Sequence, residues 1–117
     1  MATELYPDHR CYGKPPEIIV NYFNDGYGMR KHKWGVWITD GVFLASATDV
    51  TNGRHNTYHK TIRDVMRMAL ELRSQESYKD WPIALYPEGF DSHARHQIES
   101  DAEALQHILA YDEQETN

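Results

Sequence analysis

A single α+β domain is the fold class that the sequence predicts: a three-stranded antiparallel meander, a crossover helix, a fourth strand and a C-terminal helix, in the order βββαβα. Short β-branched and aromatic runs separated by turn dipeptides predict the strands. Apolar residues at spacings of three and four predict the helices. The 117 residues, of which 40% are hydrophobic, suffice for one modest core, so we expect one domain over residues 17–111.

The chain begins with a segment that contains several prolines. Pro7, Pro15 and Pro16 lie among polar residues, and proline removes a backbone donor and restricts the residue before it. Residues 1–16 are therefore predicted to form an irregular arm. The first strand follows over residues 17–23, where a β-branched and aromatic run ends at the turn signal Asn24-Asp25-Gly26.

The next two strands are predicted over residues 33–39 and 42–48, with Asp40-Gly41 between them. Asp-Gly favours a two-residue type I′ turn, which places Trp37 opposite Leu44. Because side chains alternate across a strand, one face of this hairpin is uniformly apolar and is predicted to be the core face. Its residues are Trp34, Val36, Ile38, Phe43, Ala45 and Ala47. The opposite face, called the second face below, is mixed and carries Trp37 and Leu44 among polar residues.

Two helices and one strand are predicted in the second half of the chain. An amphipathic helix over roughly residues 57–74 follows from the periodic residues Tyr58, Ile62, Val65, Ala69 and Leu72. Trp81-Pro82 ends any helix, and residues 83–86 predict a short fourth strand. The apolar residues of the last helix are Ile98, Ala102, Leu105, Ile108 and Leu109. An acidic tail over residues 112–117 closes the chain.

This element order is similar to the first half of the ribonuclease H-like fold. Asn24-Asp25-Gly26 at the end of the first strand, followed by Trp34-Gly35-Val36 in the second, resembles the opening of that family. The family holds two metal ions with carboxylates on the first strand, the first helix and the fourth strand. The resemblance implies a metal-dependent hydrolase or nuclease as an alternative function. Asp25 and Glu88 then stand for two of the carboxylates, and His59 lies where the helix offers no glutamate.

Charge and cysteine content exclude several classes of protein. Twelve Lys and Arg against eighteen Asp and Glu give a formal net charge of −6, which disfavours a protein that wraps duplex DNA. The single cysteine, Cys11, excludes an internal disulfide framework and fits a reducing compartment. No apolar run approaches the roughly 18 residues of a membrane span. We therefore expect a cytoplasmic protein that does not associate with a membrane.

Seven histidines include two pairs with metal-ligand spacing. His55 and His59 are four residues apart, and His93 and His96 are three apart. Zinc or manganese held by such a set could activate a water for hydrolysis. Because no HExxH pattern occurs and no cysteine joins either pair, we expect solvated surface histidines, with no metal and no cofactor.

The positive charge of this acidic chain is concentrated before the second strand. Arg30, Lys31 and Lys33 lie between Tyr27 and Trp34. Cations beside aromatic rings suit an anionic ligand, so a nucleotide or single-stranded nucleic-acid binder is a second alternative function.

The second face carries the leading hypothesis. Placing Asn21 on its wetter side brings Ile19 and Phe23 towards Trp37 and Leu44, and such an apolar patch is costly to leave in water. The last helix, a second copy of the chain or a different partner could cover it. We therefore predict a small non-catalytic interaction protein, self-associating, that acts as an accessory inhibitor or adaptor of a larger machine. Its predicted contact residues are Phe23, Trp37, Leu44, Arg30, Lys31 and Lys33.

Overall fold

The computed structural model describes residues 2–23, 33–89 and 94–106, and it confirms the α+β class. Seven strands form one sheet: β1 Thr3–Glu4, β2 Glu17–Phe23, β3 Lys33–Thr39, β4 Phe43–Ser46, β5 Tyr58–His59, β6 Ile83–Tyr86 and β7 His96–Ile98. The helices are α1 Ala47–Val50 and α2 Ile62–Arg73, with a 3-10 turn at Glu76–Tyr78, and residues 101–106 are also helical. No helix within these residues is long and apolar enough to span a bilayer.

The sheet has the order β1-β4-β3-β2-β6-β7. β5 pairs with the first residues of β3, on the same edge of β3 where β4 pairs with its last residues. β2, β3 and β4 form an antiparallel meander, whereas β6 lies parallel to β2 after the crossover through α2. β7 then pairs antiparallel with β6. The described elements are more numerous than predicted, since β1, α1, β5 and β7 were not expected. Ile98, predicted in the last helix, lies in β7 opposite Ile83.

The turn between β3 and β4 is longer than predicted. Thr39 pairs with Leu44 and Trp37 with Ser46, so the predicted pairing of Trp37 with Leu44 is wrong by two residues. The Asp40 carboxylate accepts the N–H groups of Phe43 and Val42, each at 2.9 Å, and these bonds hold its pKa below its usual range. A shift of two residues preserves which face each side chain points to. The division into two faces is therefore retained.

The core face is covered by α2. Val65, Ala69 and Leu72 of this helix are fully buried against Ile18, Val20 and other residues of the sheet. Trp34 and Ile38 are half-buried against the same cluster, as predicted for that face. Phe43 does not join it, because the longer turn leaves its side chain 44% exposed.

The crossover helix begins later than predicted, whereas its end agrees with the prediction. α2 begins at Ile62, where the hydroxyl of Thr61 caps it by accepting the N–H of Asp64. Tyr58, predicted as its first apolar residue, instead lies in β5 opposite Gly35.

The C-terminal helix packs on the core face, since Ala104 is buried in the same cluster as α2.

The N-terminal arm covers part of the second face, a role the sequence had left to other elements. It is not irregular throughout, because β1 pairs with β4. Leu5 donates its N–H to the carbonyl of Val42 at 2.8 Å, and Gly13 donates to the carbonyl of Gly41 at 2.8 Å. Between these two anchors Leu5 and Cys11 are buried against the sheet. Gly41 has a positive φ and lies so close to the Lys14 carbonyl that a Cβ would overlap it.

Candidate functional site

The arm leaves a pocket open on the second face. Its cavity volume is about 200 Å³. The lining residues come from the arm, β2, β3 and β4, and they are His9, Ile19, Asn21, Phe23, Trp37 and Leu44. Three of the predicted contact residues, Phe23, Trp37 and Leu44, thus line one cavity, and we call it the second-face pocket.

The aromatic wall of this pocket depends on a glycine. The six-membered ring of Trp37 lies over Gly35, two residues before it on the same face, and a Cβ at Gly35 would overlap ring carbons Cη2 and Cζ3. The ring meets Phe23 nearly edge-on at a centroid distance of 5.5 Å, and Tyr58 meets both at 5.8 and 5.9 Å. These are favourable aromatic geometries. β5 therefore adds a third ring to the two that the sequence placed there.

Asn21 is the polar group of the pocket. Its side chain lies on the second face, as predicted, together with Ile19, Phe23, Trp37 and Leu44. It is nevertheless only 5% exposed, so this part of the face is covered. Its neighbours in register are Gly35 on β3 and Tyr86 on β6. Among the described residues, none donates a hydrogen bond to its buried Oδ1. A buried acceptor without a donor is costly and unusual in a folded protein, and such groups call for an explanation.

His9 adds a polar edge that the sequence did not indicate. Its Nδ1 accepts the backbone N–H of Cys11 at 3.0 Å. Nδ1 is thus the acceptor of this bond, which leaves Nε2 as the donor of the ring. The ring is half-buried at the pocket wall. No local signal points to it, because its position depends on how the arm crosses the sheet.

Cys11 lies under the arm and is 2% exposed. Burial, with a smaller contribution from the Glu17 carboxylate, raises the pKa of its thiol to about 11. Since the thiolate is the reactive form, we expect disulfide reagents at pH 8 to label the folded protein at least about 100-fold more slowly than an exposed cysteine. Labelling followed by absorbance measures this rate, with the urea-unfolded chain as the fast control. Rapid labelling of the folded protein would contradict the buried position.

A second cavity is lined by residues of the arm, β2 and β6 and by the segment that leads into β7. It has a volume of about 280 Å³, and Arg10, Lys14 and Arg95 line it. Arg95 bridges the Glu17 carboxylate at 2.6 Å and the Tyr86 hydroxyl at 3.1 Å. Both arginines also lie near the Tyr86 ring, at 5.3 Å for Arg10 and 5.9 Å for Arg95. Arg10 thus contacts β6 from the arm, and Arg95 joins the segment before β7 to β2 and β6.

The predicted basic loop lies mostly outside the described residues. Arg30, Lys31 and Tyr27 are among those outside, whereas Lys33 pairs with Phe23 at the start of β3 and is half-buried. Trp34 packs on Tyr22 at 5.0 Å on the core face. The nucleotide or single-strand alternative therefore stays a prediction.

Two of the three residues of the hydrolase alternative are described, and they lie on or after different strands. Asp25 lies outside the described residues, Glu88 follows β6, and His59 lies on β5. β5 and β6 are three strand positions apart across β3 and β2, which is about 14 Å at the usual strand spacing. His59 directs Nε2 at the carbonyl of Asn56, 2.8 Å away. The structure does not bring His59 and Glu88 together.

The described histidines of the two pairs with metal-ligand spacing do not form a ligand set. Nε2 of His55 lies 3.2 Å from the Glu71 carboxylate, His96 is exposed on β7, and His93 is outside the described residues. Within residues 2–23, 33–89 and 94–106, no three His, Cys, Asp or Glu side chains are grouped to hold a metal ion.

Comparison of the chain with protein-family models, with curated proteins and with solved structures found no match.

Proposed function

We propose that this protein is a small interaction protein that binds another protein, or a second copy of itself, through the second-face pocket. The observation that carries the proposal is the convergence of Phe23, Trp37 and Leu44 on one cavity whose polar residue, Asn21, has a buried acceptor without a donor. In this role the protein acts as an inhibitor or adaptor of a larger assembly.

Exposed aromatic side chains beside the pocket and elsewhere on the arm support a protein as the partner. Tyr58 packs on Trp37 and remains 38% exposed. The arm that frames the pocket carries Tyr6 and Tyr12, which are 76% and 45% exposed. Tyrosine and tryptophan are enriched at protein interfaces because they combine a large apolar surface with a polar group.

Two neighbouring substitutions test the proposal. Leu44 and Phe43 are adjacent in β4 but face opposite sides of the sheet, and only Leu44 lines the second-face pocket. We expect Leu44→Asp to abolish capture of the partner from an extract of the native host, or to dissociate a dimer in sedimentation velocity. Phe43→Asp is the matched control, since it introduces the same charge at an exposed position. We expect this variant to capture the partner, or to form the dimer, as the wild type does.

Circular dichroism should first establish that both variants are folded. A protein that is a strict monomer and whose capture profile is the same for the wild type and for Leu44→Asp would overturn the proposal.

A further inference from the structure

We propose that the second cavity, which we call the arm cavity, binds the phosphate group of a small organic phosphate monoester between Arg10, Lys14 and Arg95. None of the residues that line the arm cavity lines the second-face pocket, so this site is distinct from the one in the proposed function. Three features support it: the charge of the lining, the way Arg95 is held, and the position of the two cations of the arm.

The lining of the arm cavity is positively charged although the chain is acidic. The whole chain has a formal net charge of −6. Arg10, Lys14 and Arg95 against the carboxylate of Glu17 give the lining a formal charge of +2. A phosphate monoester carries a charge of about −1.5 to −2 at pH 7, so one such group neutralises the lining. A single carboxylate compensates only half of it.

Arg95 supplies a guanidinium that the fold already holds in place. Its Nε–H donates to the Tyr86 hydroxyl at 3.1 Å, and its two terminal nitrogens donate to Gln97 at 3.2 Å and to Glu17 at 2.6 Å. Within the described part of the chain, these bonds leave two of its five N–H groups without an acceptor. The side chain lines the cavity and is 35% exposed, so these donors are available to a ligand. A planar guanidinium matches the oxygen geometry of phosphate.

The other two cations belong to the arm. Arg10 and Arg95 lie 5.3 and 5.9 Å from the centroid of the same Tyr86 ring, so their guanidinium carbons are at most about 11 Å apart. Lys14 is placed by a turn in which its N–H donates to the carbonyl of Cys11 at 3.1 Å. The side chains of Arg10 and Lys14 are exposed and can be reached from solvent. A bound phosphate therefore connects the arm to the segment before β7.

The size of the arm cavity favours an organic phosphate over the inorganic ion. Its volume is about 280 Å³, whereas an engineered cavity of about 150 Å³ already holds benzene. Pro15, Pro16 and Pro82 supply apolar walls beside the cations. The cavity thus has room for a phosphate group together with an apolar part of the same ligand.

Four probes test the site in calorimetric titrations of the full chain in phosphate-free buffer. Phenyl phosphate carries the monoester and an apolar ring, inorganic phosphate lacks the ring, and phenylmalonate joins the ring to two carboxylates. N-acetyl-phosphotyrosinamide adds the backbone of a phosphorylated protein side chain. We expect phenyl phosphate to bind at least about 5-fold more tightly than inorganic phosphate or phenylmalonate.

The other outcomes of these titrations overturn the inference. If phenyl phosphate does not bind, or binds no more tightly than inorganic phosphate or phenylmalonate, the cavity does not recognise an organic phosphate. If N-acetyl-phosphotyrosinamide binds more tightly than phenyl phosphate, the phosphate comes from another protein and not from a small molecule.

Two variants that remove a positive charge locate the site. Lys14→Gln acts at the cavity, and Lys79→Gln is the matched control, since Lys79 is also exposed but lies outside the cavity lining. We expect Lys14→Gln to weaken the binding of phenyl phosphate at least about 5-fold and the control to change it less than about 1.5-fold. Arg95→Gln should weaken it at least about 10-fold, because the Glu17 carboxylate then also loses its counter-charge. Equal effects of Lys14→Gln and Lys79→Gln overturn the inference, whether or not Arg95→Gln folds.

Cys11 gives a readout at the cavity itself. Its thiol lines the arm cavity and is 2% exposed, so labelling of the folded protein requires the arm to move. A ligand that binds only while the arm is in place opposes this movement, and phenyl phosphate at about ten times its Kd is expected to slow labelling about 10-fold. The urea-unfolded chain should be labelled at the same rate with and without the ligand. Unchanged labelling of the folded protein would show that the anion binds elsewhere, and it overturns the inference.

Discussion

Replacing Arg73 with methionine is expected to lower the free energy of unfolding by about 3 kcal/mol, the largest effect we predict for a single substitution. Arg73 ends α2 and its side chain is 8% exposed. Its guanidinium donates to the carbonyls of Trp81 and Glu99 and to the carboxylate of Asp101, at 3.0, 2.8 and 2.8 Å. It thereby joins α2 to the start of β6 and to the C-terminal helix.

Methionine fills similar space but donates nothing, so two carbonyls and one carboxylate lose their donor. Urea unfolding followed by circular dichroism measures the change. Arg67→Met is the matched control, because Arg67 is exposed on the same helix, and we expect it to change stability by less than about 0.5 kcal/mol. Equal effects of the two substitutions would show that the buried bonds of Arg73 do not stabilise the fold.

Asn21→Leu is expected to act in the opposite direction and to raise the free energy of unfolding by about 1 to 2 kcal/mol. The amide is buried, and its Oδ1 has no donor among the described residues. Leucine has the same branched outline and would pack against Ile19, Phe23 and Trp37 around the cavity. An apolar group at this position therefore removes a desolvation penalty and fills empty space.

The same urea experiment tests this prediction, with Asn56→Leu as a control at an exposed position, where we expect little change. A stability gain that accompanies weaker partner capture would identify Asn21 as a residue retained for binding at the expense of stability. If the Asn21→Leu variant is less stable than the wild type, the amide stabilises the fold. That result would remove the main reason to regard the pocket as a binding site.

Several features of the fold follow from local patterns. The β-branched runs placed β2, β3 and β6 correctly, and the period of apolar residues placed most of α2. The separation of Trp34 and Trp37 onto opposite faces is also confirmed. The two-residue error in the predicted pairing of β3 with β4 does not change this separation, because side-chain direction has a period of two along a strand.

Other features have no local signal. The turn after β3 is longer than Asp40-Gly41 alone suggests, since the Asp40 carboxylate caps two further N–H groups and the arm approaches Gly41. Tyr58 has helical spacing but pairs with Gly35 instead. Contacts with residues distant in the chain, Lys14 for the turn and Gly35 for Tyr58, accompany both departures from the short-range pattern.

The amino-acid sequence by itself determined the class of the fold, the two faces of the hairpin and the presence of Phe23, Trp37 and Leu44 on the mixed face. Tertiary structure decided that the arm, and not the last helix, covers part of that face, and that Asn21 is buried with an unsatisfied acceptor. Alternation and periodicity are properties of neighbouring residues, so they can be seen in the chain. A cavity and an unpaired buried atom exist only between segments far apart in sequence, and no local pattern specifies how those segments meet.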